Sequence, residues 1–179
     1  METIQRPSVA IIGDGSPSAD TEKLVIAEGL GRALIDGGYR LVCGGRAGVM
    51  EAAARGARSA EGHTSGDVVG ILPGVDVGMA NPHIDVVVPT PLGDLRNALV
   101  VQSPVVIAIG GGAGTLSELA FAWMYDRRII AFRVDGWSGE LADRRVDDRV
   151  RFPGEEDDRI VGVDTVDQAM DVLGKWTVD

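Results

Sequence analysis

The chain has 179 residues, 45% of them hydrophobic, and a formal net charge of −10. This length suits one domain with a sizeable core, the acidic balance argues against nucleic acid and anionic lipid as partners, and no apolar run approaches the roughly 18 residues of a membrane helix. One cysteine excludes an internal disulfide, and the two histidines lack the spacing of metal ligands. We therefore expect a single cytoplasmic domain over residues 1–179, without a metal.

Strands and helices alternate along the chain. Apolar runs predict strands at residues 8–12, 39–43, 68–72, 84–88, 105–109, 129–132 and 160–163. Helical patterns lie between or after them, at residues 21–36, 49–60, 92–102, 116–125 and 166–173. This alternation predicts an α/β fold built on a single doubly wound, Rossmann-like parallel sheet with helices on both faces.

Three glycine-rich turns follow the first, second and fifth predicted strands, at residues 13–16, 44–48 and 110–114. Right-handed crossovers place all three at one edge of the sheet, where open α/β sheets bind ligands. Glycine lets the backbone approach a ligand, and the helix that follows offers free N–H groups and a positive dipole end. We therefore predict that the second and third turns converge on one phosphate. The alternative is that the glycines serve only packing.

Two polar residues open the helix after the third turn. Thr115 and Glu118 are three residues apart and so share one helix face. The hydroxyl of Thr115 can bind a phosphate. A carboxylate beside a phosphate is electrostatically unfavourable, which makes Glu118 a candidate for chemistry or for reading a sugar or base. The alternative role for Glu118 is to interact with the helix dipole.

Arg96 is a further charged candidate. It lies on the predicted helix 92–102, whose Leu95, Leu99 and Val100 we expect to pack on the sheet. A guanidinium can bind a phosphate or a carboxylate with two parallel hydrogen bonds. The alternative is a surface ion pair with Asp94.

A charge-dense segment, residues 143–159, precedes the last predicted strand. We interpret it as a solvated loop or small flap. A lid over the ligand site is the alternative, because long loops in compact domains often have functions.

Together, these motifs resemble the LOG-like Rossmann superfamily, formerly labelled as lysine decarboxylases. The resemblance covers roughly residues 9–132 and rests on residues 44–51, the Arg96-Asn97 pair and residues 111–118, in that order. The superfamily includes cytokinin-activating nucleoside 5′-monophosphate phosphoribohydrolases and molybdenum cofactor carrier proteins. The decarboxylase label has no support, because no lysine stands near these motifs in the sequence.

The two branches of the superfamily differ at a few positions. The hydrolases carry an Arg-Lys pair and a Pro-Gly-Gly-x-Gly-Thr-x-x-Glu motif, so the resemblance implies catalytic roles for Arg96 and Glu118 if this chain is a hydrolase. Here Asn97 replaces the lysine, Gly110 the proline and Ser117 a frequent glutamate. These forms are more similar to the carrier branch, which binds a pterin-type cofactor through its phosphate.

The resemblance thus implies a binding or carrier protein for a phosphorylated, nucleotide-like ligand. Molybdenum cofactor or a nucleoside monophosphate would be the bound ligand, and no further cofactor is required. The alternative is a phosphoribohydrolase that releases a free base from ribose 5-phosphate, with Glu118 stabilising an oxocarbenium-like state or activating water. A nucleotide sensor is a third interpretation. The expected ligand-binding residues are Gly13, Ser16, Gly44, Gly45, Gly48, Arg96, Asn97, Gly111, Gly112, Gly114, Thr115 and Glu118.

The helix at 116–125 is apolar on more than one face. Leu119 and Trp123 can face the sheet while Phe121 and Met124 point elsewhere. A second buried face predicts a homodimer or homotetramer. The alternative is that the loop at 135–154 covers it.

Overall fold

Seven parallel strands form one sheet in the computed structural model, which describes residues 6–16, 20–155 and 157–176. The strands are Ser8–Gly13 (β1), Arg40–Cys43 (β2), Val68–Leu72 (β3), Val86–Pro89 (β4), Val105–Ile109 (β5), Arg128–Phe132 (β6) and Val161–Val163 (β7). Their spatial order is β4-β3-β2-β1-β5-β6-β7, and every neighbouring pair is parallel. The predicted doubly wound sheet is confirmed.

Helices cover both faces of this sheet. They are Thr21–Asp36 (α1), Val49–Arg58 (α2), Asn97–Val100 (α3), Ala113–Met124 (α4), Trp137–Leu141 (α5) and Val166–Trp176 (α6), with 3-10 turns at Val77–Met79 and Gly93–Arg96. One core cluster joins α1, α2 and α6 to strand residues such as Val9 and Ile11, and a second joins α3 and α4 to Ala10 and Ile12. Successive residues of β1 therefore serve opposite faces, as the period of a strand requires.

The winding of the chain reverses between β1 and β5, which lie side by side. Val9 of β1 pairs with Leu41 on one side and with Val105 on the other. From β1 the chain winds outward through β2, β3 and β4, and from β5 it winds the opposite way through β6 and β7. The loops that leave β1 and β5 diverge at this point and leave a crevice at the carboxyl edge of the sheet.

The predicted helix at 92–102 is wrong in its extent. The structure has a 3-10 turn at Gly93–Arg96 and then only the four-residue α3. Gly93 has a φ of +55°, which a right-handed helix cannot include. Leu95 and Leu99 are 68% and 39% exposed, so the expectation that they pack on the sheet is also wrong, whereas Val100 is buried in the second core cluster as expected.

The charge-dense segment at 143–159 is tied to the protein at several points. Arg151 and Asp158 form a buried ion pair at 2.5 Å, and the Arg151 guanidinium lies 3.6 Å from the centre of the Trp123 ring. The indole N–H of Trp123 donates to Asp147 at 2.8 Å. Most of the segment is exposed, as expected of a solvated loop or small flap, and paired charges and an Arg–Trp contact hold it on α4.

The outer side of α4 remains uncovered in the described part of the chain. Met124 and Tyr125 are exposed, as are Leu95 in the turn before α3 and Leu99 within α3. Phe121 stacks on Tyr125 with 5.9 Å between the ring centres. The loop before β7 therefore covers the Trp123 side of α4 and leaves this second apolar face open. Within the residues described, no helix is long and apolar enough to cross a membrane.

Candidate functional site

A cavity of about 180 Å³ opens at the carboxyl edge of the sheet, where the loops after β1 and β5 diverge. Its walls come from the turn after β1, the start of α2, the 3-10 turn before α3 and the N-terminus of α4. The lining residues are Gly13, Gly15, Met50, Asp94, Arg96, Asn97, Gly112, Gly114, Thr115 and Glu118. The structure therefore brings together, from distant parts of the sequence, the predicted residues Gly13, Arg96, Asn97, Gly112, Gly114, Thr115 and Glu118.

Two kinds of glycine make up the turn after β5. Gly110 and Gly111 have φ values of +62° and +93°, and a β-carbon on Gly111 would lie 2.1 Å from the Thr115 hydroxyl. These two glycines are needed for the turn itself. A β-carbon on Gly112 or Gly114 would meet no atom within 4 Å. The absence of side chains at these two positions therefore keeps the cavity open rather than permitting the fold.

The start of α5 braces this turn. The amide of Gly110 donates to the Ser138 hydroxyl at 2.7 Å, and that hydroxyl donates to the carbonyl of Phe132 at 2.7 Å. The amide of Trp137 donates to the carbonyl of Gly111 at 3.0 Å. The turn is therefore held in shape by the protein itself, which lowers the ordering cost of binding a ligand.

The N-terminus of α4 opens on the cavity without a cap. No side chain in the described part of the chain caps its first turn, and the first helical hydrogen bond there runs from the amide of Leu116 to the carbonyl of Gly112 at 3.0 Å. The amides of residues 113–115 have no acceptor within the helix. An uncapped N-terminus with Gly114 and Thr115 on the cavity wall suits an anion.

Arg96 supplies the cationic side chain of the cavity. Its side chain is 10% exposed, and its Nη1 lies 3.5 Å from Oε1 of Glu118. A β-carbon on Gly44 would lie 2.4 Å from the same nitrogen, so the guanidinium packs on the backbone of the turn after β2. Among the residues that the structure describes, its Nε and Nη1 are buried without a hydrogen-bond acceptor. Buried donors normally have partners, so this cation is only partly compensated by the protein.

Glu118 is a buried acid beside this cation. Burial raises the pKa of Glu118 to about 7, and the nearby Arg96 only partly opposes this. The carboxyl group therefore exchanges its proton near neutral pH. A group of this kind, in a cavity and next to a guanidinium, can accept or donate a proton or a hydrogen bond.

Asn97 connects the two walls of the site. Its side-chain amide donates to the Ser117 hydroxyl at 2.8 Å and to the carbonyl of Gly114 at 3.5 Å. The Ser117 hydroxyl also donates to the carbonyl of Gly114 at 2.7 Å. The residue that follows Arg96 thereby fixes the position of Arg96 relative to the N-terminus of α4.

The turn after β2 lies behind the cavity. A β-carbon on Gly48 would lie 2.2 Å from the carbonyl of Asp14, and the amide of Val49 donates to that carbonyl at 2.8 Å. The N-terminus of α2 is therefore used within the fold, and the structure does not bring the second and third glycine turns to one cavity. The predicted residues that do not line it are Ser16, Gly44, Gly45, Gly48 and Gly111.

Four residues at or near the site were not predicted to bind the ligand. Gly15, Met50 and Asp94 line the cavity, and the ion-pair partner of Arg96 is Glu118, not Asp94. Lys23, far from the motifs in the sequence, has its ammonium 3.9 Å from the Asp14 carboxylate. Of these residues, only Asp94 could have been found from the sequence, because it lies two residues before Arg96. The position of Lys23 beside Asp14 depends on how α1 packs, and the spacing of residues in the sequence does not reveal it.

Two features of the structure concern the possible lid at 143–159 and a possible metal site. No described residue of the segment at 143–159 lines the cavity, which gives no support to a lid there. Among the residues that the structure describes, no group of three or more histidine, cysteine or acidic side chains could hold a metal ion.

Comparison with known proteins places this site in context. Residues 6–170 match the model of the SLOG cluster4 family. The molybdenum cofactor binding protein of the phototrophic bacterium Rippkaea orientalis is 31% identical, with a TM-score of 0.80 over 97% of this chain and 99% of that chain. The molybdenum cofactor carrier protein of Chlamydomonas reinhardtii is 25% identical, with a TM-score of 0.78 over 97% and 100%. An uncharacterized protein of Archaeoglobus fulgidus is 36% identical over 126 residues, which are 70% of this chain and 79% of its own.

Proposed function

The chain belongs to the SLOG cluster4 family, and from that membership we propose that it is a binding or carrier protein for a small phosphorylated, nucleotide-like ligand. The observation that carries this proposal is Arg96, a nearly buried cation that lines the cavity and whose Nε and Nη1 have no hydrogen-bond acceptor among the described residues. The uncapped N-terminus of α4 faces the same cavity. Both features are matched by the oxygens of one phosphate group.

The size of the cavity indicates which part of the ligand it encloses. Pockets that enclose a drug-sized ligand measure roughly 300–1,000 Å³, and this one measures about 180 Å³. We therefore expect the phosphate and the adjoining sugar-sized group to lie inside, and a heterocycle to extend across the rim. Asp94 and Glu118 can accept hydrogen bonds from hydroxyl or amino groups of such a ligand.

Molybdenum cofactor is our preferred ligand of this class. Two of the similar solved structures are a molybdenum cofactor binding protein and a molybdenum cofactor carrier protein. The match to this chain spans 99% of the first and 100% of the second. In this chain the cofactor would be bound cargo, held through its phosphate by Arg96 and the start of α4. A nucleoside monophosphate presents the same phosphate chemistry.

Mass spectrometry of co-purifying small molecules tests the proposal. The wild-type protein and Gly112→Val are purified in parallel, and the bound molecules are released and compared. We expect a phosphorylated organic molecule with the wild type and its loss from Gly112→Val, because the valine side chain projects into the open cavity while the turn keeps its shape. Equal amounts of the molecule in the two folded preparations would contradict the proposal.

A phosphoribohydrolase is the second candidate, and Glu118 is the observation that favours it. A buried carboxyl group with a pKa of about 7 beside an arginine suits the activation of water at an oxocarbenium-like centre. Incubation with AMP and chromatography for free adenine distinguishes the two functions. A carrier releases no base. A hydrolase releases it, and Glu118→Gln abolishes the release with little loss of binding.

We also propose that two copies of the chain associate through the second apolar face of α4. This face consists of Phe121, Met124, Tyr125 and the neighbouring Leu95 and Leu99, most of them exposed. Burying such a patch against a second copy would use a two-fold axis. Light scattering after size exclusion at high salt, which screens the net charge of −10, should give a dimer or tetramer. A monomer that still binds its ligand would contradict this proposal.

A further inference from the structure

Lys23 joins the two turns at which the winding of the sheet reverses. It lies in the first turn of α1 with its side chain 10% exposed, and its ammonium is 3.9 Å from Oδ2 of Asp14 in the turn after β1. A β-carbon on Gly110 would lie 2.9 Å from Cδ and 3.0 Å from Cε of this lysine. The lysine side chain therefore runs from α1 across the turn after β5 toward the turn after β1.

This cation is poorly compensated by the protein. The N-terminal turn of a helix carries a positive partial charge, which disfavours a lysine there, and most of the Lys23 side chain is buried. Among the residues that the structure describes, Asp14 is its one ion-pair partner, at a distance beyond a hydrogen bond. The other carboxylate oxygen of Asp14 already accepts from the amide of Ser16 at 3.0 Å. An additional anion nearby would stabilise this arrangement.

The wall of the cavity lies next to this lysine. Gly13 and Gly15, on either side of Asp14, both line the cavity, as does Gly112, two residues after Gly110. Lys23 therefore lies behind the cavity wall, and the glycine turns separate it from the cavity. Its charge can act on a bound ligand without direct contact, because the protein interior screens charges only weakly.

We propose that Lys23 is a positioning residue that gives the phosphate subsite its second positive charge, so that the site selects a phosphomonoester dianion over a phosphodiester monoanion. The proposal rests on the function proposed above. A phosphomonoester carries a charge of about −1.5 to −2 at pH 7, whereas a diester carries a single negative charge. Arg96 and Lys23 each have a carboxylate partner in the protein, Glu118 and Asp14, so the preference comes from the larger charge of the monoester, which each of the two cations attracts more strongly.

Methyl phosphate and dimethyl phosphate test this inference without reference to any heterocycle. The dissociation constant of each is measured by titration followed by NMR, at a pH where methyl phosphate is a dianion. The variants are Lys23→Met, which removes the charge, and Lys23→Arg, which retains it. Lys175→Met is the matched control, because the other lysine of the chain is exposed at the end of α6.

The wild type is expected to bind methyl phosphate about tenfold more tightly than dimethyl phosphate. Lys23→Met should lose most of this ratio, Lys23→Arg should retain it, and Lys175→Met should match the wild type. An unchanged ratio in folded Lys23→Met, or an equal weakening of both ligands, would overturn the inference while leaving the proposed function in place. If neither compound saturates the wild type, the phosphate site itself is refuted.

Discussion

Replacing Arg96 with methionine should have opposite effects on stability and on binding. The side chain is 10% exposed, and two of its nitrogens are buried without acceptors. Each unsatisfied buried donor costs about 1–3 kcal/mol, an amount that methionine, with its flexible apolar side chain, does not incur. We therefore expect the free energy of unfolding of ligand-free Arg96→Met to equal that of the wild type or to exceed it by up to about 2 kcal/mol.

The pH of the stability measurement matters because Glu118 loses its partner in this variant. The pKa of Glu118 is about 7 with the guanidinium 3.5 Å away, and it rises further when that charge is removed. At pH 6 the carboxyl group is then neutral, and its burial without Arg96 costs little. Urea denaturation at pH 6, followed by tryptophan fluorescence, is the appropriate assay.

The same substitution should weaken ligand binding. A charge-assisted hydrogen bond contributes about 1.5–3 kcal/mol, so the dissociation constant for methyl phosphate should rise about 10- to 100-fold. Arg46→Met is the matched control, because Arg46 is an exposed arginine in the turn after β2 and does not line the cavity. If Arg96→Met were destabilised by more than about 2 kcal/mol with unchanged affinity, Arg96 would be a structural residue, and its proposed role in binding phosphate would be wrong.

Further substitutions test the other parts of the account. Gly112→Val should fold normally and lose phosphate binding, whereas Gly111→Ala should lose stability because a β-carbon there meets the Thr115 hydroxyl at 2.1 Å; thermal denaturation and titration separate the two. Burial raises the pKa of Glu118 from its usual 4.5 to about 7, so the folded protein keeps a proton that the unfolded chain loses, and stability falls as the pH rises between these values. Glu118→Gln should remove this loss, which is on the order of 3 kcal/mol, and an equally steep profile in the variant would contradict the assignment. Met124→Glu should shift the assembly toward monomers in light scattering, and an unchanged mass would place the interface elsewhere.

The strands were predictable from sequence because each is a short apolar run between turn residues. The run at 105–109 becomes β5, buried along its whole length between two helical layers, as a central parallel strand must be. The helix at 92–102 was not predictable in detail. Its apolar spacing is helical, but the left-handed conformation of Gly93 keeps an α-helix from beginning at residue 92, and the sequence alone does not show which backbone region a glycine takes.

Within the candidate site, local signals succeeded and long-range ones failed. Thr115 and Glu118 were recognisable because they lie three residues apart on a helix that follows a glycine turn. The two glycine turns look alike in sequence, yet the N-terminus of α2 is occupied by the Asp14 carbonyl and that of α4 is open. The position of Lys23 beside Asp14 likewise depends on the packing of α1 against the sheet, which no local pattern encodes.

Titrating isotope-labelled protein with inorganic phosphate, while following backbone amide signals by NMR, tests whether the cavity after β5 binds a phosphate group. We expect saturable shifts at Gly112, Gly114 and Thr115, together with the Nε–H signal of Arg96, whose nitrogen has no acceptor among the described residues. The amide of Val49, already bonded to the Asp14 carbonyl, should serve as an internal reference. Saturable shifts at the start of α2 with none at the start of α4, or no saturable shift at all, would contradict the account.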